Sequence, residues 1–269
     1  MQVLCCQIDT AWEDKQATHR QVDALLEDRS IEPGSLIVLP EMFDTGFSLR
    51  IERTAEDDRA LSQRFLSQLA QRCEAFVVGG IVMPVCNPDP SGLPSHRGRN
   101  EAVVYGPDGA LLGRYAKFHP FSFAQEDKHI EPGSELYLFS WRNLQVAPLV
   151  CYDLRFPEVF RAVIRQGAGL CVVIANWPQT REDHWWTLLR ARAIENQAFV
   201  VGVNRCGRDP NHAYGGRSCV VSPRGEILAE AGRYPCVLSA NINADEVDQY
   251  RNQFPALNDM RKEFFPVER

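Results

Sequence analysis

Apolar residues follow two rhythms along this chain. Three short runs, Leu36-Ile37-Val38-Leu39, Val146 to Val150 and Cys171-Val172-Val173-Ile174, carry no polar face. Such runs predict strands in sheets covered on both sides. Elsewhere the spacing is helical. Leu61, Phe65, Leu66, Leu69 and Cys73 recur at i, i+4 with Gln63, Arg64, Ser67 and Gln68 opposite, and Trp185, Leu188, Leu189, Ala193 and Ile194 form a second stripe with Arg190, Arg192 and Glu195 between them. A third helix-like run, Glu158 to Gln166, follows the Phe156-Pro157 break. Trp185 and Trp186 are adjacent and cannot share one helix stripe, so one is expected on the sheet and the other toward a partner or a pocket.

The pattern repeats itself. Ala75-Phe76-Val77-Val78-Gly79 recurs as Ala198-Phe199-Val200-Val201-Gly202, each after a helical stripe. Later in each half a hairpin is expected, turning at Gly106-Pro107-Asp108-Gly109 and at Ser222-Pro223-Arg224-Gly225. Two like halves with doubly covered strands predict an α/β fold: an α-β-β-α sandwich with pseudo-twofold halves, one domain over residues 1–269, with a C-terminal tail from about residue 245. The proline-rich stretch Cys86 to Asn100 reads as a surface loop.

Composition narrows the function classes. The net charge is −6 and there is no basic stretch, which argues against nucleic acid. No apolar run reaches the length of a membrane span, and the first residues do not resemble a signal peptide, so the expectation is a cytoplasmic protein without membrane association. Nine cysteines at irregular spacings do not form a disulfide framework. Cys5, Cys6, Cys171, Cys219 and Cys236 fall in or beside strand runs, Cys73 on a helical stripe, and Cys86 and Cys206 in loops. Cys206, His212 and Cys219 lack any recognised zinc spacing, so no metal is expected.

Cys151 stands apart. It ends the run Val146 to Val150 and is followed at once by Tyr152-Asp153-Leu154-Arg155-Phe156-Pro157-Glu158. A thiol at a strand end, before a helix N-terminus that favours thiolate, is placed for reaction. Other strands also end on polar groups: Leu39 gives way to Pro40-Glu41, Ile174 to Ala175-Asn176-Trp177-Pro178, and the first hairpin runs out into Arg114-Tyr115-Ala116-Lys117-Phe118-His119. Strand ends of a layered α/β fold share a rim where ligands bind. A carboxylate base, an ammonium for an oxyanion and a thiol nucleophile suffice for acyl transfer from an amide.

These residues carry a resemblance. Leu39-Pro40-Glu41, Tyr115-Ala116-Lys117-Phe118-His119 and Val150-Cys151-Tyr152-Asp153-Leu154-Arg155-Phe156-Pro157-Glu158 stand in the order of the three signatures of the nitrilase-like carbon–nitrogen hydrolase superfamily, and the chain resembles that superfamily over nearly its whole length. The resemblance implies the sandwich fold, no metal or organic cofactor, a small-molecule amide substrate and a homodimer or larger homo-oligomer paired through the helices Phe156 to Gln166 and Trp185 to Gln197. It implies Cys151 as nucleophile, Glu41 as general base, Lys117 with the backbone N–H of Tyr152 as oxyanion stabiliser, and Glu126 as a second glutamate. Arg155, Tyr152, Asn176 and Trp177 are expected to face substrate.

Within the superfamily the chain looks most like omega-amidases, which cleave the side-chain amide of 2-oxoglutaramate or 2-oxosuccinamate. Arg155 is then expected on the substrate carboxylate, the competing expectation being an internal salt bridge to Asp153 or Glu158. An amidase for deaminated glutathione, a nitrile hydrolase, a papain-like hydrolase using His119 or His184, and an inactive interaction protein are the alternatives.

Overall fold

The computed structural model describes residues 1–85 and 97–261. Two six-stranded sheets lie face to face. The first contains β1 (Gln2–Gln7), β2 (Leu36–Val38), β3 (Phe76–Pro84), β4 (Gly98–Tyr105), β5 (Leu111–Ala116) and β14 (Cys236–Asn241), in the order β14-β1-β2-β3-β4-β5. The second contains β6 (Phe139–Trp141), β7 (Leu144–Val150), β8 (Leu170–Ala175), β9 (Phe199–Asn204), β12 (Cys219–Val221) and β13 (Ile227–Glu230), in the order β13-β12-β9-β8-β7-β6. A separate ribbon pairs β10 (Cys206–Arg208) with β11 (Ala213–Gly215). The helices are α1 (Lys15–Leu26), α2 (Ile51–Thr54), α3 (Leu61–Cys73), α4 (Pro157–Arg165), α5 (Glu182–Asn196) and α6 (Asp245–Gln253).

The two halves share one winding. In each, three neighbouring parallel strands are joined through helices and followed by an antiparallel hairpin: β1-α1-β2-α3-β3-β4-β5, then β7-α4-β8-α5-β9-β12-β13. Alternation along β1 separates the layers. Leu4 and Cys6 pack outward with Val22, Phe65, Leu66 and Leu69 of α1 and α3, whereas Val3 and Cys5 join the core that contains the second sheet. The echoed glycines have a packing reason. A Cβ on Gly79 would stand 2.9 Å from a Leu66 methyl of α3, and one on Gly202 would stand 2.5 Å from a Leu189 methyl of α5. Each helix therefore presses a leucine onto a bare strand backbone.

Several expectations need correction. On α5 the buried face is Trp185, Leu189, Arg192, Ala193 and Asn196, while Ile194 is exposed. Arg192 is buried because its guanidinium donates to the Leu154 carbonyl at 2.8 and 3.2 Å. Trp185 is buried beside Trp177, and Arg217 covers Trp186 at 4.3 Å. Cys206 is buried in β10 rather than in a loop. The expected loop Cys86 to Asn100 lies outside the described residues up to His96, and Gly98–Asn100 already open β4. The tail begins as α6, whose Val247 sits in the core, and residues 262–269 lie outside the described residues. Among the described residues no helix is long and apolar enough to cross a membrane.

Candidate active site

Strand ends from both sheets meet at one buried point. Glu41 follows β2, and Lys117 follows β5 directly. Asn100 lies in β4, and the Lys117 N–H donates to its carbonyl at 2.9 Å, which extends the hairpin ladder to the lysine. Cys151 follows β7 and Asn176 follows β8. Glu126 comes from a short 3-10 turn, Glu126–Lys128. Glu41, Lys117, Glu126 and Asn100 are all at most 1% exposed.

The polar groups satisfy one another. Lys117 Nζ donates to Glu41 Oε1 at 2.8 Å and to Glu126 Oε2 and Oε1 at 2.8 and 3.1 Å. Asn100 Nδ2 donates to Glu41 Oε1 at 2.7 Å and to Glu126 Oε1 at 3.0 Å. The second Glu41 oxygen accepts the Asn176 backbone N–H at 2.8 Å, and Asn176 Nδ2 donates to the Glu41 carbonyl at 2.7 Å. Glu126 Oε2 also accepts the Phe121 N–H at 2.6 Å. Burial works against the charge of Lys117, but Glu126 and then Glu41 outweigh it and hold the ammonium above the ordinary lysine range.

The thiol sits in a strained turn. Cys151 has φ of +46° and opens the 3-10 turn Cys151–Arg155; α4 begins only at Pro157. Burial pushes its thiol well above the ordinary range, and the charge of Glu41 adds to this, while Lys117 pulls the other way. The expected helix N-terminus is thus corrected: α4 starts six residues beyond the thiol, and burial and the Glu41 charge set the thiol's surroundings instead. Asp153 clamps the turn. Its Oδ2 accepts Tyr115 Oη at 2.9 Å and the Val150 N–H at 3.2 Å, and its Oδ1 is 3.0 Å from the His119 N–H and 2.8 Å from His119 Nδ1. His119 also stacks on Phe156 at 3.8 Å. His184 contacts Arg155. Both imidazoles proposed for a papain-like site are therefore engaged elsewhere.

A small pocket, partly open to solvent, ends at this constellation. Lys117, Cys151, Tyr152, Arg155, Asn176 and Trp177 line it, as expected from sequence, together with Phe47, Phe121, Arg181 and Tyr214, which sequence reasoning did not single out, and His212, which it weighed only as a zinc ligand. Glu41 and Glu126 lie behind that lining, bonded to Lys117. Arg155 pairs with neither Asp153 nor Glu158; its guanidinium lies 4.7 Å over the Trp177 ring. Asn100 was placed in a loop by the prolines upstream. Period-two alternation with Ala102 and Val104, both in the inter-sheet core, was the signal that pointed it inward.

The profile of the carbon–nitrogen hydrolase family matches residues 2–252. The chain belongs to the carbon–nitrogen hydrolase family. An omega-amidase YafV of Yersinia enterocolitica is 40% identical over 253 residues, 93% of each chain. A 2-oxoglutaramate amidase of Bacillus subtilis is 31% identical over 98% of each chain. Among solved structures, the CN-hydrolase superfamily protein XC1258 of Xanthomonas campestris, which carries an arsenic adduct in its active site, aligns with a TM-score of 0.87 at 34% identity, over 100% of this chain and 99% of that one. An amidase variant from Nesterenkonia sp. AN1, with the acetamide moiety of fluoroacetamide added covalently at its active-site cysteine, aligns with a TM-score of 0.78 at 25% identity over 97% of each chain. The family membership makes this chain an amidohydrolase, and thiol, carboxylate and ammonium converge at the end of its partly open pocket.

Proposed function

We propose that this carbon–nitrogen hydrolase is an omega-amidase: it hydrolyses the side-chain amide of 2-oxoglutaramate or 2-oxosuccinamate to ammonia and the 2-oxo dicarboxylate. The observation that carries the reading is a cationic cavity, with Arg155 on its wall, ending at Cys151 and the buried Glu41–Lys117–Glu126 cluster. The relatives named for those reactions support the same reading.

In this reading Glu41 takes the thiol proton as sulfur attacks the amide carbon. The oxyanion forms between Lys117 Nζ and the Tyr152 backbone N–H. Glu41 returns its proton to nitrogen, the carbon–nitrogen bond breaks and ammonia leaves, giving a thioester on Cys151. Glu41 then deprotonates the water that cleaves it. Glu126 and Asn100 hold Lys117 and Glu41 in place throughout. Arg155 takes the carboxylate at the far end of the substrate.

Ammonia release from a panel of 2-oxoglutaramate, 2-oxosuccinamate, deaminated glutathione, butyramide and simple nitriles tests this. The expected order puts 2-oxoglutaramate or 2-oxosuccinamate first in kcat/KM, with no turnover by Cys151→Ala. Preference for deaminated glutathione or a nitrile overturns it. The chain is further inferred to act as a homodimer in the cytoplasm. Ile194 in α5 and Phe254 after α6 are 47% and 59% exposed, and Gln197 Nε2 donates to the Phe254 carbonyl at 2.7 Å, which ties the ends of the two helices. All eight cysteines among the described residues are unpaired, which suits a reducing compartment. A monomer by light scattering at micromolar concentration refutes the dimer.

A further inference from the structure

The cavity that ends at Cys151 holds two cations with no internal counter-ion among the described residues. Arg155 and Arg181 both line it. Arg155 Cζ lies 4.7 Å over the Trp177 ring, and Arg181 Cζ lies 5.5 Å over Phe121. Each guanidinium is thus laid on an aromatic face, which fixes its plane while leaving N–H donors for a ligand. Other arginines of this region are ion-paired, Arg192 to Glu195 and Arg217 to Glu182 and Glu230, but among the described residues no carboxylate pairs with Arg155 or Arg181. The two charges also feel each other. Burial, and then the charge of Arg181, hold the Arg155 guanidinium below the ordinary arginine range, while Cys151 acts in the opposite direction. Arg155 closes the turn that Cys151 opens, and Arg181 comes from the separate turn Gln179–Arg181.

The structural work at position 181 is done by backbone. The Arg181 carbonyl accepts Trp177 Nε1 at 2.7 Å, and its N–H donates to the Pro178 carbonyl at 3.0 Å. The side chain makes no hydrogen bond or ion pair among the described residues and is available to a ligand.

We propose that Arg155 and Arg181 together clamp the 2-oxo carboxylate end of the substrate, which makes Arg181 a specificity-determining residue of this enzyme. The proposal rests on the omega-amidase reading and extends it to the second cation. A 2-oxo carboxylate presents three oxygens in sequence along two adjacent carbons. Arg155, on the thiol side, meets the 2-oxo oxygen and the near carboxylate oxygen, and Arg181 meets the outer one. A neutral amide leaves both cations unneutralised, so the pair discriminates by charge as well as by fit.

Calorimetric titration of 2-oxoglutarate into Cys151→Ala protein, with and without Arg181→Gln, tests the clamp whatever the turnover. The added change is expected to weaken binding by about 10–100-fold, the worth of one or two hydrogen bonds to a charged group. In active protein, the ratio of kcat/KM for 2-oxoglutaramate to that for butyramide is expected to fall by a similar factor, and the Arg155→Gln loss to be less than additive with it, since both serve one carboxylate. Arg181→Lys, which keeps charge and stem but not the fork, is expected to lose at least threefold in the same ratio and decides the matter should Arg181→Gln not fold. Absence of 2-oxoglutarate binding by Cys151→Ala protein, binding unchanged by Arg181→Gln, or equal kinetic losses on both amides overturns the clamp. Arg181-dependent binding of 2-oxoglutarate without hydrolysis of 2-oxoglutaramate upholds the clamp and rejects the omega-amidase reading instead.

Discussion

Asp153→Asn is the most informative single change outside the reacting groups. The Asp153 carboxylate is buried and faces only donors: Tyr115 Oη, the N–H groups of Val150 and His119, and His119 Nδ1. Asparagine has the same shape, but one acceptor oxygen becomes an NH₂. If the remaining oxygen stays with His119, the amide nitrogen meets the Val150 N–H donor to donor. One charge-assisted bond is lost, worth about 1.5–3 kcal/mol, and a buried N–H is left unpaired, costing about 1–3 kcal/mol. A total near 3 kcal/mol lowers Tm by roughly 6–12 °C in a chain of this size. The same bond to Val150 holds the residue before Cys151, whose left-handed backbone is itself strained by about 1–2 kcal/mol. Released, the turn relaxes and moves the sulfur. A displacement near 1 Å costs about 10²-fold in rate. The expected result is a kcat reduced about a hundredfold on charged and neutral amides alike, KM little changed, and slower alkylation of Cys151 by iodoacetamide. A variant with wild-type Tm and kcat within threefold of wild type would refute the reasoning.

Glu41→Gln is expected to lower kcat by about 10²–10⁴-fold and Lys117→Ala by about 10²–10³-fold, with single-turnover kinetics showing the acylation step affected in both. Gly80→Ala is expected to cost at least tenfold in kcat/KM, because a Cβ there stands 2.5 Å from Glu41 Cα and 2.7 Å from the Met42 nitrogen; Gly232→Ala, with nothing within 4 Å, is the control, and equal behaviour of the two rejects the argument. His19, stacked on Phe65 at 4.2 Å, is lowered from 6.5 to about 4, chiefly by burial. A depressed histidine gives stability that is present above pH 6.5 and lost as pH falls toward 4, about 1–2 kcal/mol after discounting for its partial exposure. Denaturant titrations of His19→Gln are expected to show a flatter acid limb over that window, and an unchanged limb counts against the assignment.

The layers and the winding were legible because they are written in local periodicity. Continuous strand runs, helical stripes and the repeated Val-Val-Gly each reflect a burial requirement met within ten residues or so. Glu41, Lys117, Cys151 and Asn176 were legible as polar residues that interrupt such runs. Glu126 and Asn100 were harder for opposite reasons. Glu126 lies in a 3-10 turn with no periodicity to point it anywhere, and only the family resemblance marked it. Asn100 has the right alternation, but it closes a stretch whose prolines, Pro88, Pro90 and Pro94, read as loop. Arg192 was assigned to the exposed face because sequence shows its charge and not the Leu154 carbonyl that receives it. Arg181 carried no sequence signal, since its role depends on which side chains fail to reach it.

The division of labour between the sheets explains why so few residues had to be special. Glu41, Asn100 and Lys117 come from the first sheet, and Cys151, Asp153 and Asn176 from the second. The bonds that fix them cross between sheets: the Asn176 N–H to Glu41 Oε2, Asn176 Nδ2 to the Glu41 carbonyl, and Tyr115 Oη to Asp153. Neither sheet alone contains a base in contact with a thiol. A buried carboxylate and a buried ammonium are each costly apart and tolerable only together. The apolar core between the sheets therefore supplies the energy that holds them in contact, and the close approach of β3 at Gly80 and the left-handed turns at Met42 and Cys151 set where they meet. Strain and desolvation sit at the strand ends, where a substrate amide can reach them, and the stabilising burial sits in the strands behind, which is why the motif residues occur where the apolar runs stop.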